Sequence, residues 1–206
     1  MAPGLPGERA VSGAFPRAAD AYRHASRSWT TGVALLTARH GEEVFAKTVS
    51  SLCPLSLDPP LVSVAVDRRS PIVGAVRAGR GFALSVLAAD QEPLARRFAA
   101  PGAGRALGWF TPAPMRPGIT GAPVLERCLA WFECRLDGVL PGGDHAVLVG
   151  RVATADATPG DPLVYHDGRY RSLGPHPAVL ACALTLYVFG IGDGAPRALR
   201  GSDTVV

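Results

Sequence analysis

A mainly β fold with short helices, its sheet closed into a barrel or folded into a sandwich, is predicted for this 206-residue chain by three observations. Apolar, β-branched segments recur at short intervals, six or more in all. Gly, Pro and Asp-Gly turn signals separate them, and only a few brief stretches carry helical spacing. With 48% hydrophobic residues the chain fits one domain with a real core.

In chain order, residues 1–16 are rich in Pro and Gly and read as a mobile arm. "PRAADAYRHASRSW" then places Tyr22, Ala25 and Trp29 at helical spacing, so a short helix leads in. "GVALLTA" and "EVFAKTV" are strands joined by "RHGE", with Gly41 supplying a hairpin turn. The stretch after Val49 reads as irregular backbone up to Pro59 and Pro60, and strand "LVSVAV" (61–66) follows. Ser70 and Pro71 read as N-cap and first residue of a helix over "PIVGAVRA", with Ile72, Ala75 and Val76 on one face. "FALSVL" (82–87) is the next strand. Asp90 is read as the cap of "QEPLARRFA", in which Leu94 and Phe98 stand four apart and Arg96 and Arg97 suit the negative end of the helix dipole. Residues 101–123, with Trp109 and Phe110, form a long loop, open to reading as a lid or as a plain connection. Strands "CLAWFECRL" (128–136) and "HAVLVGRVATA" (145–155) precede "LVYHDGRYRSL", in which Asp167-Gly168 marks a closing hairpin. The domain is thus expected over 17–174, with a C-terminal extension over 175–206.

Composition narrows the function classes. Lys plus Arg exceed Asp plus Glu by only 21 to 17, and no basic block occurs, so nucleic acid is not the expected partner, while a small anionic ligand stays open. Cys53, Cys128, Cys134 and Cys182 form no CxxC pair, and no two of the five histidines stand four apart on a helix, so no metal site is predicted. The longest strongly apolar run, Ala178 to Ile191, has 14 residues, short of the roughly 20 a membrane-spanning helix needs. No secretory signal is visible. The expectation is a soluble, cytoplasmic protein with no membrane partner. GxGxxG after a strand, GxxxxGK[ST], HExxH and GxSxG are all absent.

Three features remain that suit chemistry. Lys47, Thr48, Ser50 and Ser51 cluster after a strand, where hydroxyls and free N–H groups either line the edge of a flat ligand or simply satisfy a turn. In "VDRRSP", Arg68 and Arg69 precede the helix begun at Ser70 and Pro71, either as a phosphate site or as an exposed charged turn. In "GGDHAVLVG", Asp144 and His145 sit at a strand mouth after two glycines, which leaves room for a ligand beside the imidazole, though a structural histidine is the other reading.

Taken in order, "TTGVALLTA", "AKTVSSLCPLSLDPPLVSVAVDRRSP", "FALSVLAADQEPLARRFA", "LAWFECRLDGVLPGGDHAVLVGRV" and "PLVYHDGRYRSL" resemble the flavin reductase-like family, the FMN-binding split-barrel proteins that serve two-component flavin monooxygenases. The resemblance covers about Tyr22 to Leu173. It implies a six-stranded Greek-key split β-barrel that forms a homodimer, with flavin sites near the subunit interface. It implies an NADH- or NADPH-dependent reductase of FMN or FAD whose reduced flavin diffuses to a flavin-dependent monooxygenase. Thr30, Thr31, Gly32 and Val33 would hold the isoalloxazine, together with Lys47, Thr48, Val49, Ser50, Ser51, Leu52 and Cys53. Asp67, Arg68, Arg69 and Ser70 would hold the phosphate-bearing chain, and Arg97 and Phe98 would close the pocket. His145 matches the histidine beside which nicotinamide enters, with Tyr170 as a catalytic neighbour.

Two departures stand out. Family members commonly read Gly-Met/Leu-Thr ahead of the serines where this chain has Phe45-Ala46-Lys47-Thr48, which adds a positive charge, and the 178–191 run has no matching counterpart. Two other readings of the same fold are a flavoprotein that retains its flavin and acts on an organic substrate, and a non-enzymatic flavin- or deazaflavin-binding module.

Overall fold

The second strand shows why the chain folds as it does. Ala34–His40 is buried without alternation over its first five residues, so it cannot be a half-wet strand. In the computed structural model, which describes residues 16–100 and 113–173, this strand lies between two cores. Ala34, Leu36 and Ala38 face one core with Ile72, Val76 and Phe82. Val33 and Leu35 face the other, with Leu87, Leu94 and Phe98.

The elements run in the order α1 (Pro16–Arg27), β1 (Thr31–Gly32), β2 (Ala34–His40), β3 (Glu43–Val49), β4 (Cys53–Leu57), β5 (Pro60–Asp67) and α2 (Pro71–Gly79). They continue with β6 (Gly81–Val86), a 3-10 turn over Ala89–Gln91, α3 (Glu92–Ala99), β7 (Met115–Pro117), β8 (Pro123–Leu125), β9 (Ala130–Gly142), β10 (His145–Ala157), β11 (Leu163–His166) and β12 (Arg169–Ser172). Strands dominate and the helices are short, as expected. All described residues belong to one unit ending at Leu173.

The main sheet holds seven strands in the order β3-β2-β6-β9-β10-β5-β4, against six in the expected barrel. Its end strands β3 and β4 are joined by only Ser50, Ser51 and Leu52. Six strand spacings of about 4.8 Å would separate them by about 29 Å in a flat sheet, whereas the link from Val49 to Cys53 reaches at most about 14 Å. The sheet must therefore curl until its two edges face each other. Ser51 fastens this link to β5, the strand next to β4, donating its hydroxyl to the Ala65 carbonyl at 2.7 Å and accepting the Ala65 N–H at 3.1 Å.

Several sequence expectations change. Cys53–Leu57 is an edge strand rather than irregular backbone, paired with β5 through Cys53 and Ser63. Prolines and a mixed polar pattern hid it, and an edge strand exposed on both faces carries no alternation. Within the expected 101–123 loop, β7 and β8 form a small hairpin, while Trp109 and Phe110 lie outside the described residues, as do the arm up to residue 15 and the 178–191 run. Asp90 does not cap α3. It lies inside the 3-10 turn and accepts from Arg127 at 3.2 Å, while Gln91 accepts the Ala88 N–H. Ser70 holds the N-cap position of α2 with extended backbone but makes no side-chain cap bond. Trp29 lies past the end of α1, and it and Tyr22 are largely exposed.

One buried charge is accommodated structurally. Glu133 on β9 is fully buried and accepts from Arg116 at 3.4 Å and from the Thr120 N–H at 3.2 Å, so the loop between β7 and β8 folds over it. Burial pushes the Cys134 thiol up to about 12, with the Glu133 charge adding to it, which keeps that thiol neutral. Among the described residues no helix is long and apolar enough to cross a membrane, and no group of three or more His, Cys, Asp or Glu is placed to hold a metal ion.

Candidate active site

A groove opens where β3 ends. Val33, Thr48, Val49 and Ser50 line it on one side, and Ala99, Tyr165 and Tyr170 on the other, around about 190 Å³. Thr48 is fixed by donating its hydroxyl to the Ala95 carbonyl of α3 at 2.7 Å, so its side chain ties helix to sheet. Tyr165 and Tyr170 stand opposite each other across the β11–β12 hairpin and meet edge to face at 5.4 Å. That hairpin is set by Asp167 and Gly168, both at positive φ, as a tight hairpin turn requires. Arg96 of α3 lies 5.1 Å from the Tyr170 ring centre, a cation–π contact that holds the ring toward the groove. Burial raises the Tyr170 hydroxyl above its usual value, aided by Tyr165 and opposed by Arg96, so it remains a proton donor at neutral pH.

Thr31 carries the most informative defect. Its Oγ1 is buried and has no hydrogen-bond partner among the described residues, in β1 where it pairs with β11 opposite Tyr165. A buried hydroxyl left unpaired is costly, and such atoms mark places where a ligand or water completes the bonding. Gly32 beside it has open space where a side chain would stand. Ser50, Ser51 and Leu52 lie between the β3 and β4 ladders, so their backbone N–H groups are outside both.

A second cluster sits where β5 ends and β10 begins. His145 pairs with Asp67 across that ladder, and its Nδ1 donates to Asp144 Oδ1 at 2.7 Å. This bond leaves Nε2 of the exposed ring free for a ligand. Asp67 accepts from Arg69 through Nε at 3.2 Å, Nη2 at 3.0 Å and the backbone N–H at 2.9 Å. These bonds hold the Asp67 carboxyl well below the usual carboxylate range and raise Arg69 in turn. The His145 hydrogen bond likewise lowers Asp144. Arg69 is thus paired with Asp67 at the surface, and Arg68, whose backbone N–H donates to the Asp144 carbonyl at 3.1 Å, makes no ion pair among the described residues and is the freer guanidinium to meet an anion beside Ser70.

The two clusters are linked by Ser51, whose partner Ala65 lies two residues before Asp67. The structure therefore brings Val33, Thr48, Val49 and Ser50 to one groove, with Thr31 and Gly32 immediately before Val33 in the chain, and strings Asp67 to Ser70 and His145 along the adjoining edge. Others fall elsewhere. Lys47 lies on the face of β3 opposite Thr48 and pairs with Leu36, and Leu52 packs on the first core. Cys53 is exposed at the head of β4. Thr30 bonds His166 Nδ1 at 2.8 Å. Phe98 is 3% exposed and belongs to the second core, because its spacing from Leu94 is that of an inward helix face. Arg97 lines a different hollow of about 410 Å³ with Asp90, Gln91 and Arg127, so neither residue closes the groove. Tyr170 and His145 stand in separate sheets with separate partners. Sequence reasoning missed Tyr165 and Arg96. The pairing of Tyr165 with Tyr170 was available from the Asp167-Gly168 turn, whereas nothing local marks Arg96.

A curled antiparallel sheet with a shallow groove, an adjoining turn bearing Arg68 and Arg69 and a free imidazole is an arrangement suited to a nucleotide-type ligand. Comparison with known proteins makes this specific: residues 26–174 match the flavin reductase like domain, and the chain belongs to that family. The NADH-dependent FMN reductase AsuE2 of Streptomyces nodosus subsp. asukaensis is 37% identical over 161 residues, covering 74% of this chain and 83% of that protein. The reductase component of 4-nitrophenol 4-monooxygenase/4-nitrocatechol 2-monooxygenase of Rhodococcus opacus is 32% identical, covering 75% of this chain and 81% of its own length. Among solved structures, BorF, the flavin reductase component of a bacterial two-component tryptophan halogenase, matches with a TM-score of 0.70 at 37% identity, over 77% of this chain and 99% of BorF.

Proposed function

We propose that the chain is an NADH- or NADPH-dependent flavin reductase that reduces FMN or FAD and supplies the reduced flavin to a flavin-dependent monooxygenase. Beyond family membership, the observation that carries this reading is the orphaned Thr31 hydroxyl beside an open glycine and a groove edged by backbone outside any ladder. These are the donors a flat, hydrogen-bonding ring system needs along one edge. Flavin supplies the chemistry of accepting a hydride from nicotinamide.

The residues have distinct tasks in this reading. Thr31 and the backbone N–H groups of Ser50 to Leu52 bind the edge of the ring that becomes negative on reduction. Arg68, with the Ser70 hydroxyl and the first turn of α2, holds the phosphate. His145 positions the nicotinamide carboxamide, accepting through Nε2 when neutral and donating when protonated, while Asp144 fixes the tautomer through Nδ1. Tyr170, held by Arg96, bounds the groove on the side away from β3.

A groove of about 190 Å³ is smaller than the roughly 300–1,000 Å³ of complete small-molecule pockets. One chain then supplies one wall, and the proposed homodimer supplies the other. The exposure of Leu55 and Leu57 on the edge strand supports such an interface. The same reading takes the curled seven-stranded sheet as the split barrel of the family, with the domain over 17–174, in a cytoplasmic protein.

Thr31→Val tests the ligand edge. It removes an unpaired hydroxyl, so unliganded stability should hold or rise, while flavin affinity should fall about three- to tenfold for one lost hydrogen bond. Thermal unfolding and flavin titration check both halves; a loss of stability with unchanged affinity would place the hydroxyl in a structural role. The function itself is tested by multiple-turnover reduction of excess flavin with NADH and with NADPH.

A further inference from the structure

A second pocket, on the opposite face of the β11–β12 hairpin from Tyr165 and Tyr170, is strongly basic. His24, Arg27 and Ser28 from the end of α1 and His166, Asp167 and Arg171 from the hairpin surround about 280 Å³. The hairpin register explains the division of faces. Tyr165 pairs with Tyr170, and the next positions along, Val164 with Arg171 and His166 with Arg169, point the other way. Helix and hairpin are fastened by the Asp167 N–H donating to the Arg27 carbonyl at 2.9 Å.

The electrostatics favour an anion. Among the described residues the ion pairs use Arg23, Arg69, Arg96, Arg116, Arg127, His145 and Arg151, and none uses Arg27 or Arg171. Two permanent guanidinium charges and two imidazoles thus face one carboxylate, Asp167, and the negative end of the α1 dipole. The balance is positive. His166 bonds Thr30 through Nδ1 at 2.8 Å, which orients the ring and leaves Nε2 for a ligand. Ser28 adds a hydroxyl.

We infer that this pocket holds a phosphate group of the nicotinamide donor, resting on the reductase reading for the donor's identity but not for the anion site itself. His166 follows Tyr165 directly in the chain, so groove and pocket back onto each other across one layer of a three-stranded sheet that has β12 as one of its two edges. A dinucleotide with its nicotinamide at the groove can pass that edge and set a phosphate among Arg27, Arg171 and His166. Guanidinium pairs are suited to the forked oxygens of either a pyrophosphate or a 2′-phosphate.

The test uses the full chain and Arg27→Gln/Arg171→Gln, both exposed positions outside the flavin groove. ADP and 2′,5′-ADP are titrated without flavin or reductant, and NADH and NADPH are compared in steady state. The double variant should weaken nucleotide binding at least tenfold, more at low salt than at high, with flavin affinity unchanged as the control for folding. A rise in KM for both donors assigns the pyrophosphate, and a rise for NADPH alone assigns the 2′-phosphate. Unchanged nucleotide binding and unchanged KM for both donors overturns the inference. If the chain reduces no flavin yet binds ADP in an Arg27- and Arg171-dependent way, the reductase reading fails and the phosphate site stands.

Discussion

His145→Ala is expected to slow flavin reduction by NADH or NADPH about ten- to a hundredfold, the scale of a positioned or proton-transferring side chain, while flavin affinity changes by less than about threefold. The imidazole stands at the mouth of β10 and is itself exposed, so its loss leaves no cavity. Its side-chain bond to Asp144 at 2.7 Å, the only one it makes among the described residues, orients the ring without supporting the core. Flavin contacts in the proposed site come instead from Thr31, the Ser50–Leu52 backbone and Arg68. Single-turnover kinetics and flavin titration separate the two quantities. A parallel collapse of both would make His145 a structural residue of the β5–β10 edge.

Phe82→Ala is expected to lower stability by about 3–5 kcal/mol, the range for deleting a buried aromatic ring. Phe82 is fully buried on β6, which lies between β2 and β9, and pairs with Cys134. Its ring fills the space above Gly150 on β10, where an added Cβ would collide with both the ring and Cys134. Ladder bonds on both sides of β6 fix the strand spacing, so the cavity has little room to collapse. Urea unfolding followed by circular dichroism measures the change. A cost below about 1 kcal/mol would mean that the sheet relaxes far more than its register implies.

The elements most legible in the sequence were those whose pattern has a single physical cause. "LVSVAVD" alternates because one face of β5 is buried, with Val62, Val64 and Val66 inward. Asp167-Gly168 marks a hairpin because both residues tolerate positive φ. β4 was hidden because it is an edge strand, defined by long-range pairing with β5 and not by burial. Phe98 was misplaced when a resemblance outweighed its i, i+4 relation to Leu94, which already marked it as core. The pairing of Arg69 with Asp67, two residues earlier, likewise has no mark in the sequence. The Thr31 hydroxyl and the basic pocket beneath the hairpin have no local signature at all, since each depends on residues more than a hundred positions apart.

The central claim is that flavin is a substrate exchanged at an open groove. Purified protein should be mixed anaerobically with NADH or NADPH and FMN or FAD in large excess over enzyme, and followed at the flavin absorbance. The account predicts rapid bleaching of many flavin equivalents per chain with at least one donor and one flavin. No nicotinamide-dependent bleaching, or bleaching that stops at one equivalent per chain, would contradict it.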